Sequence, residues 1–170
     1  MKYPLLAMFV ALLLGGSAPK KPCLCKATEE NIFSFQTLKS RNILSVCSEK
    51  KDGYMVYRYG TGEKTELVFP DKLDQSSWRK FVYKGYYRGG GPQNLAMSNQ
   101  SLSFTNQGVE YEIYDQSGYE DTTEESFSQQ AGILVRVNGK EVDLQADLKT
   151  ISGGLENLNQ YASIENQYGQ

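Results

Sequence analysis

The chain of 170 residues contains no histidine. That absence removes Ser-His-Asp triads, Cys-His dyads, zinc sites built on imidazole and any histidine pH switch. Neither sign of charge dominates, with 18 basic and 20 acidic residues and a formal net charge of −2. Such a balance argues against a dedicated nucleic-acid binder or a basic membrane-surface protein. Gly-x-Ser-x-Gly is missing, so no serine sits on a nucleophile elbow. The three glycines Gly89-Gly90-Gly91 are followed by no Lys-Ser or Lys-Thr, which excludes a phosphate-binding loop of the nucleotide type. No period of 20 to 50 residues repeats, so the chain is neither a propeller nor a solenoid.

Long apolar runs are scarce too, and the single one, Leu5 to Leu14, stands at the start. Lys2 precedes it, and Gly15-Gly16-Ser17-Ala18 supplies small residues for a cut after Ala18. This is the three-part pattern of a secretory signal peptide. As a helix the run would span about 15 Å, half a hydrocarbon core, which excludes a transmembrane anchor. Cleavage would remove residues 1–18 and Lys2 with them, leaving one ordinary domain that is slightly more acidic. No cysteine follows the small residues directly, so a lipoprotein is not expected. The sequence therefore directs the chain to the periplasm or outside the cell, not membrane-spanning after cleavage.

Three cysteines remain: Cys23, Cys25 and Cys47. An oxidising compartment favours pairing, yet three is odd. In an extended segment Cys23 and Cys25 point the same way about 6.5 Å apart, an awkward reach for a mutual bond. The expected disulfide joins Cys47 with Cys25 or Cys23 and pins a polar N-terminal segment, residues 19–30, onto the first strands. The third cysteine is left as a thiol or as a handle for another molecule.

From residue 31 to 161 the sequence reads as one β domain of short strands and turns, with 162–170 a frayed tail. Candidate strands are Ile32 to Phe35, Ile43 to Cys47, Tyr54 to Tyr59, Lys64 to Phe69, Phe81 to Tyr87, Ser101 to Thr105, Val109 to Asp115, Ile133 to Val137 and Lys140 to Leu144. Alternation is clean from Val109 to Tyr114, and Asn138-Gly139 fits a two-residue type I′ turn. Gln116 to Gln130 is acidic and polar and reads as a long mobile loop. From Asp147 to Tyr161 the apolar residues Leu148, Ile151, Leu155 and Leu158 recur at helical spacing, with Gly153-Gly154 against them. The fold class expected is all-β, mainly antiparallel, a sandwich or partly open barrel of eight or nine short strands with a short C-terminal helix.

Three features stand out as candidate sites. Nine of the twelve tyrosines lie between Tyr54 and Tyr119, where Tyr57, Tyr83 and Tyr111 read as half-buried sheet residues. Tyr86, Tyr87 and Arg88 stand at the mouth of the Gly89-Gly90-Gly91 loop, and tyrosine and arginine are favoured interface anchors. Glu120, Asp121, Glu124 and Glu125 form an acidic loop suited to steering a basic partner. Neither the glycine placement nor the Asp spacing of a calcium loop is present, so no metal and no cofactor is expected.

The stretch from Ile43 to Pro70 has a familiar look. Cys47 ends one strand, Tyr57-Arg58-Tyr59-Gly60 closes the next, and Glu66-Leu67-Val68-Phe69-Pro70 ends the return. With Phe104-Thr105-Asn106-x-Gly108 and the strand Tyr111 to Tyr114, this resembles small exported bacterial β-rich proteins of unassigned function. The resemblance implies bacterial export and an antiparallel β domain with a cysteine near its start, and it implies no activity. In size and export the chain is also loosely similar to periplasmic hydrolase-inhibitor and immunity proteins. The Ser-Gly-x-x-x-x-Tyr loop of some lysozyme inhibitors is not reproduced, because Tyr119 follows Ser117-Gly118 at once.

These features make a non-enzymatic binding protein the leading expectation, with a cell-wall hydrolase as the protein partner. A carbohydrate-binding module with exposed tyrosines, whose partner is a glycan, and a structural envelope protein are the alternatives. A carboxylate-dependent glycosidase using Glu124 or Glu125 ranks behind them.

Overall fold

Every one of those candidate strands forms, and a tenth joins them. The computed structural model describes residues 21–50, 53–91, 94–123 and 126–167. The proposed signal peptide lies outside the described residues. Strands β1 (Glu29–Gln36), β2 (Ile43–Glu49), β3 (Met55–Gly60) and β4 (Thr65–Phe69) make an antiparallel meander. A second meander contains β5 (Val82–Arg88), β6 (Met97–Asn106), β7 (Val109–Tyr119), β8 (Phe127–Val137) and β9 (Lys140–Gln145). The two-residue strand β10 (Ser152–Gly153) returns to the outer edge of β1, so each sheet has five strands. The fold is an all-β sandwich.

Between the sheets lies one core, to which Phe33, Phe35, Leu44, Val46 and Tyr57 contribute from the first sheet and Leu102, Phe104, Ile113 and Ile133 from the second. These positions alternate along their strands, as period-two patterning requires. Phe104 links the layers: its ring stacks on Tyr111 at 4.8 Å and on Phe69 at 4.3 Å, and tilts against Tyr57 at 4.9 Å. Tyr57 and Tyr83 are fully buried where half-burial was expected, while Tyr111 packs partly buried at the margin. A sheet covered on both faces accounts for the difference at Tyr57. Its neighbours Val56 and Arg58 point away from the core and are also buried.

What covers that outer face is the N-terminal strap, residues 21–28. The Leu24 amide donates to Ser45 Oγ at 2.9 Å, and the Ser34 hydroxyl donates to the Pro22 carbonyl at 3.1 Å. The disulfide joins Cys25 to Cys47, choosing between the two pairings the sequence left open.

The helix expected over Asp147 to Tyr161 does not run through. Leu148–Thr150 and Leu155–Gln160 are separate 3-10 turns, with β10 between them. Gly153 adopts a φ of 78°, and a Cβ there would collide with the Ile32 carbonyl. Backbone pairing along the open edge of β1 therefore wins over helix propagation, and the Gly154 amide donates to Ile32 O at 3.0 Å. The apolar residues still serve the core, since Leu155 and Leu158 are fully buried. The final described residues run back along β5: Asn166 accepts from the Gly85 amide at 2.8 Å and donates to its carbonyl at 2.7 Å.

Candidate functional site

Strands β6, β7 and β8 contain 10, 11 and 11 residues, against 8 or fewer in the first sheet. The second sheet consequently projects past the core at one end. Along that projection the inward positions change from apolar to polar, passing from Leu102, Ile113 and Ala131 to Gln100, Asp115 and Gln129. Gln100 is buried and fully engaged: it accepts from the Tyr83 hydroxyl at 2.7 Å and donates to Tyr86 O and Ser98 Oγ. Asp115 is 9% exposed. Burial pushes its carboxyl above the ordinary value and the Glu156 charge adds to this, against hydrogen bonds from Gln129 and the Leu155 amide.

Both sequence-predicted loops leave the sheet at this same end. Met97 pairs with Arg88 on one side and Gly118 on the other, and Gly118 pairs with Ser128. The β5–β6 loop is closed by reciprocal backbone bonds between Gly91 and Asn94, 2.7 and 3.2 Å long. Gly90 has a φ of 75°, and a Cβ there would press on Ala96, so this turn requires glycine. Gly89 and Gly91 meet no such crowding. Arg88 Nε donates to the Leu95 carbonyl at 2.8 Å, tying the strand end to the returning chain. Tyr86 is half-buried, whereas Tyr87 is 74% exposed and is the most prominent aromatic of the described residues.

The acidic loop is shorter than the sequence suggests. Gln116 to Tyr119 continue β7 and pair in register with Phe127 to Gln130 of β8, so the described part of the loop is reduced to 120–123 and Ser126. Backbone pairing needs no apolar side chains, so the polar ends of these strands persist beyond the core. The Asp121 carboxylate accepts from the Thr123 hydroxyl and amide, which hold it below the ordinary carboxylate range. Glu120 stays exposed on the rim. Glu124 and Glu125 lie outside the described residues.

Two residues that the sequence reading passed over complete the rim. Tyr119 and Phe127 flank the acidic loop and meet edge to face with ring centroids 5.3 Å apart. They are 39% and 51% exposed. Alternation carried on through Asp115, Ser117 and Tyr119 would have found the first of them. Arg88, Asn94 and Glu120 share a groove of about 440 Å³ on this rim. On the inner face of the projection, Tyr87, Gln129, Glu156 and Asn159 line a second groove of about 590 Å³.

A larger cavity, about 870 Å³, opens at the opposite end of the second sheet between Pro70, Arg79, Lys84 and Asn106. The sequence reading placed no site there. Near the strap, the sulfur atoms of Cys23, Cys25 and Cys47 lie within 4.8 Å of one another, two of them bonded as the disulfide. Among the described residues no helix is long and apolar enough to cross a membrane. No family model, curated protein or solved structure matches the chain.

Proposed function

We propose that the chain is an exported, non-enzymatic binding protein that occludes a cell-wall hydrolase with the loop end of its second sheet. One observation carries this reading: two loops about thirty residues apart in sequence emerge side by side and frame a rim of exposed aromatic and charged groups. Tyr87, Tyr119 and Phe127 offer rigid apolar area at low entropic cost, and large exposed aromatics on a folded scaffold are the usual anchors of an interface. Glu120 and Asp121 beside them give the rim an acidic character that favours a basic partner. The Cys25–Cys47 bond fits an oxidising compartment such as the periplasm.

Capture from envelope and secreted fractions, followed by mass spectrometry, tests the proposal. A single stoichiometric hydrolase, lost on Tyr87→Ala with thermal unfolding unchanged, is the expected outcome. Retention of a hydrolase that is indifferent to Tyr87→Ala and Phe127→Ala would move the interface elsewhere.

The inner groove favours a second reading, a glycan-binding protein. Tyr87 stands at its mouth as a stacking surface, and Gln129, Asn159 and Glu156 offer the amide and carboxylate groups that hydroxyl-rich ligands require. Retention on peptidoglycan fragments with no protein partner present would favour it over the first.

A further inference from the structure

Cys23 is not simply the cysteine left over. Its sulfur lies within 4.8 Å of both sulfurs of the Cys25–Cys47 bond. The Cys25 amide donates to it at 3.2 Å, which turns the side chain toward the bond instead of away along the strap. Cys23 and Cys25 are both half-exposed, whereas Cys47, on β2, is fully buried. Lys21 and Lys26 flank the pair in sequence.

We propose that these three residues form a thiol–disulfide exchange site, at which the covalent tether of the strap moves between Cys25 and Cys23. The Cys23 thiolate attacks Cys47 Sγ. A Cys23–Cys47 bond forms as the Cys25–Cys47 bond breaks, and the electron pair leaves on the Cys25 sulfur, which takes up a proton from solvent to replace the one Cys23 gave up. One disulfide and one thiol stand on each side of the step, so no oxidant or reductant is consumed. Attack on Cys47 is favoured over attack on Cys25 because the departing thiolate must be solvated. Cys25 meets water and Cys47 does not. The strap is separately held by Leu24 on Ser45 and by Lys26 on Glu29, so a two-residue shift of the bond leaves its docking in place. The consequence is a tether that survives the capping or loss of either Cys23 or Cys25, while one half-exposed thiol remains available for exchange with the disulfide of a second molecule.

The test uses the purified full chain with no added reductant. Samples are held overnight at about pH 4 or about pH 8, acid-quenched and briefly labelled with N-ethylmaleimide, and the label is located by fragmentation across Cys23-Leu24-Cys25. Exchange needs the thiolate, so label on Cys25 beside label on Cys23 is expected after pH 8, with Cys23 alone after pH 4. Cys23→Ser should take up no label. Cys25→Ser, oxidised with glutathione disulfide, should form Cys23–Cys47 and unfold within a few degrees of the parent. Label confined to Cys23 after both incubations overturns the proposal, as does a folded Cys25→Ser variant with two free thiols.

Discussion

Arg58 meets Glu29 in a bidentate pair, Nη1 to Oε2 at 2.6 Å and Nη2 to Oε1 at 2.8 Å, beneath the N-terminal strap. The same carboxylate accepts from the Tyr54 hydroxyl and the Lys26 amide, each at 2.7 Å. Both charged side chains are almost fully buried. Arg58 is the arginine of the Tyr-Arg-Tyr-Gly stretch that made this region look familiar, and its task is structural. It anchors the strap to the outer face of the first sheet, because the lone pairs of Glu29 are divided between β3 and the strap itself.

Removing one partner leaves the other charged and buried. Arg58→Met should therefore destabilise the protein by about 3–5 kcal/mol, read by urea unfolding. Adding Glu29→Met to that variant should recover part of the loss, since no unpaired charge then remains. Equal stability of Arg58→Met and the parent would mean that the pair is open to water in solution.

The same site makes stability depend on acid. Burial pushes Glu29 up, but hydrogen bonds from Arg58, Tyr54 and the Lys26 amide, with the Arg58 charge, outweigh it and hold the carboxyl below its ordinary 4.5. The folded state then binds the proton less readily than the unfolded chain. Its contribution is complete above the unfolded value and is lost as pH falls through the folded one. Glu29→Gln should start less stable at neutral pH and show a shallower decline below about pH 4.5.

Asp115 works in the opposite direction. Its folded pKa is raised above the ordinary 3.8, chiefly by burial, so the folded state holds the proton more tightly than the unfolded one. Stability associated with this group is greatest in acid and falls as pH rises through the raised value. Asp115→Asn keeps an acceptor for the Leu155 amide and removes the buried charge. It should equal or exceed the parent at pH 7 by thermal unfolding and lose the pH slope just above 3.8. A variant less stable than the parent at pH 7 would show that the carboxylate is favourably solvated in its groove.

The strands were legible because their evidence is local. Val109 to Tyr114 alternates, Asn138-Gly139 turns, and the buried side chains of β6 and β7 fall on one face. Pairings that depend on backbone alone were not legible. Gln116 to Tyr119 and Phe127 to Gln130 carry no apolar pattern strong enough to distinguish strand from loop, yet they extend the sheet and create the projection on which the candidate site sits. The C-terminal segment shows the reverse error. Leu148, Ile151, Leu155 and Leu158 have helical spacing, but the open edge of β1 offered hydrogen bonds that a sequence pattern does not reveal. That both candidate loops emerge together was a consequence of the β5–β8 meander and needed the register.

The edge of β5 is covered by the C-terminal segment, through the Asn166 side chain and the backbone beside it. Asn166 bonds both the amide and the carbonyl of Gly85, in the manner of a paired strand, and the Gln167 amide donates to Tyr83 O at 2.9 Å. An uncovered edge next to the exposed Tyr87 would be a template for pairing with another chain. Asn166→Ala should cost about 1–2 kcal/mol by denaturant unfolding and raise the concentration dependence of light scattering. Unchanged stability and scattering would show that the backbone of the C-terminal segment suffices to cover the edge.

Charge and aromatic anchors on the rim should separate kinetically. Glu120 is exposed and contributes only its backbone amide, which donates to Ser126 O at 3.3 Å, to the hydrogen bonds that shape its loop, so Glu120→Lys leaves the fold intact. Against a basic hydrolase it should slow association several-fold at low salt and change dissociation little, because long-range attraction acts before contact. At about 0.5 M salt the Debye length falls to a few ångströms, and the difference from the parent should vanish. Tyr87→Ala should act the other way, leaving association nearly unchanged and speeding dissociation tenfold or more, as expected when a buried anchor is removed. Surface plasmon resonance at two salt concentrations reads all four rates. A glycan ligand carries no positive field to be steered, so for it Glu120→Lys should have no effect at either salt while Tyr87→Ala still weakens binding. That pattern would replace the hydrolase by the glycan as the occupant of this end of the sandwich.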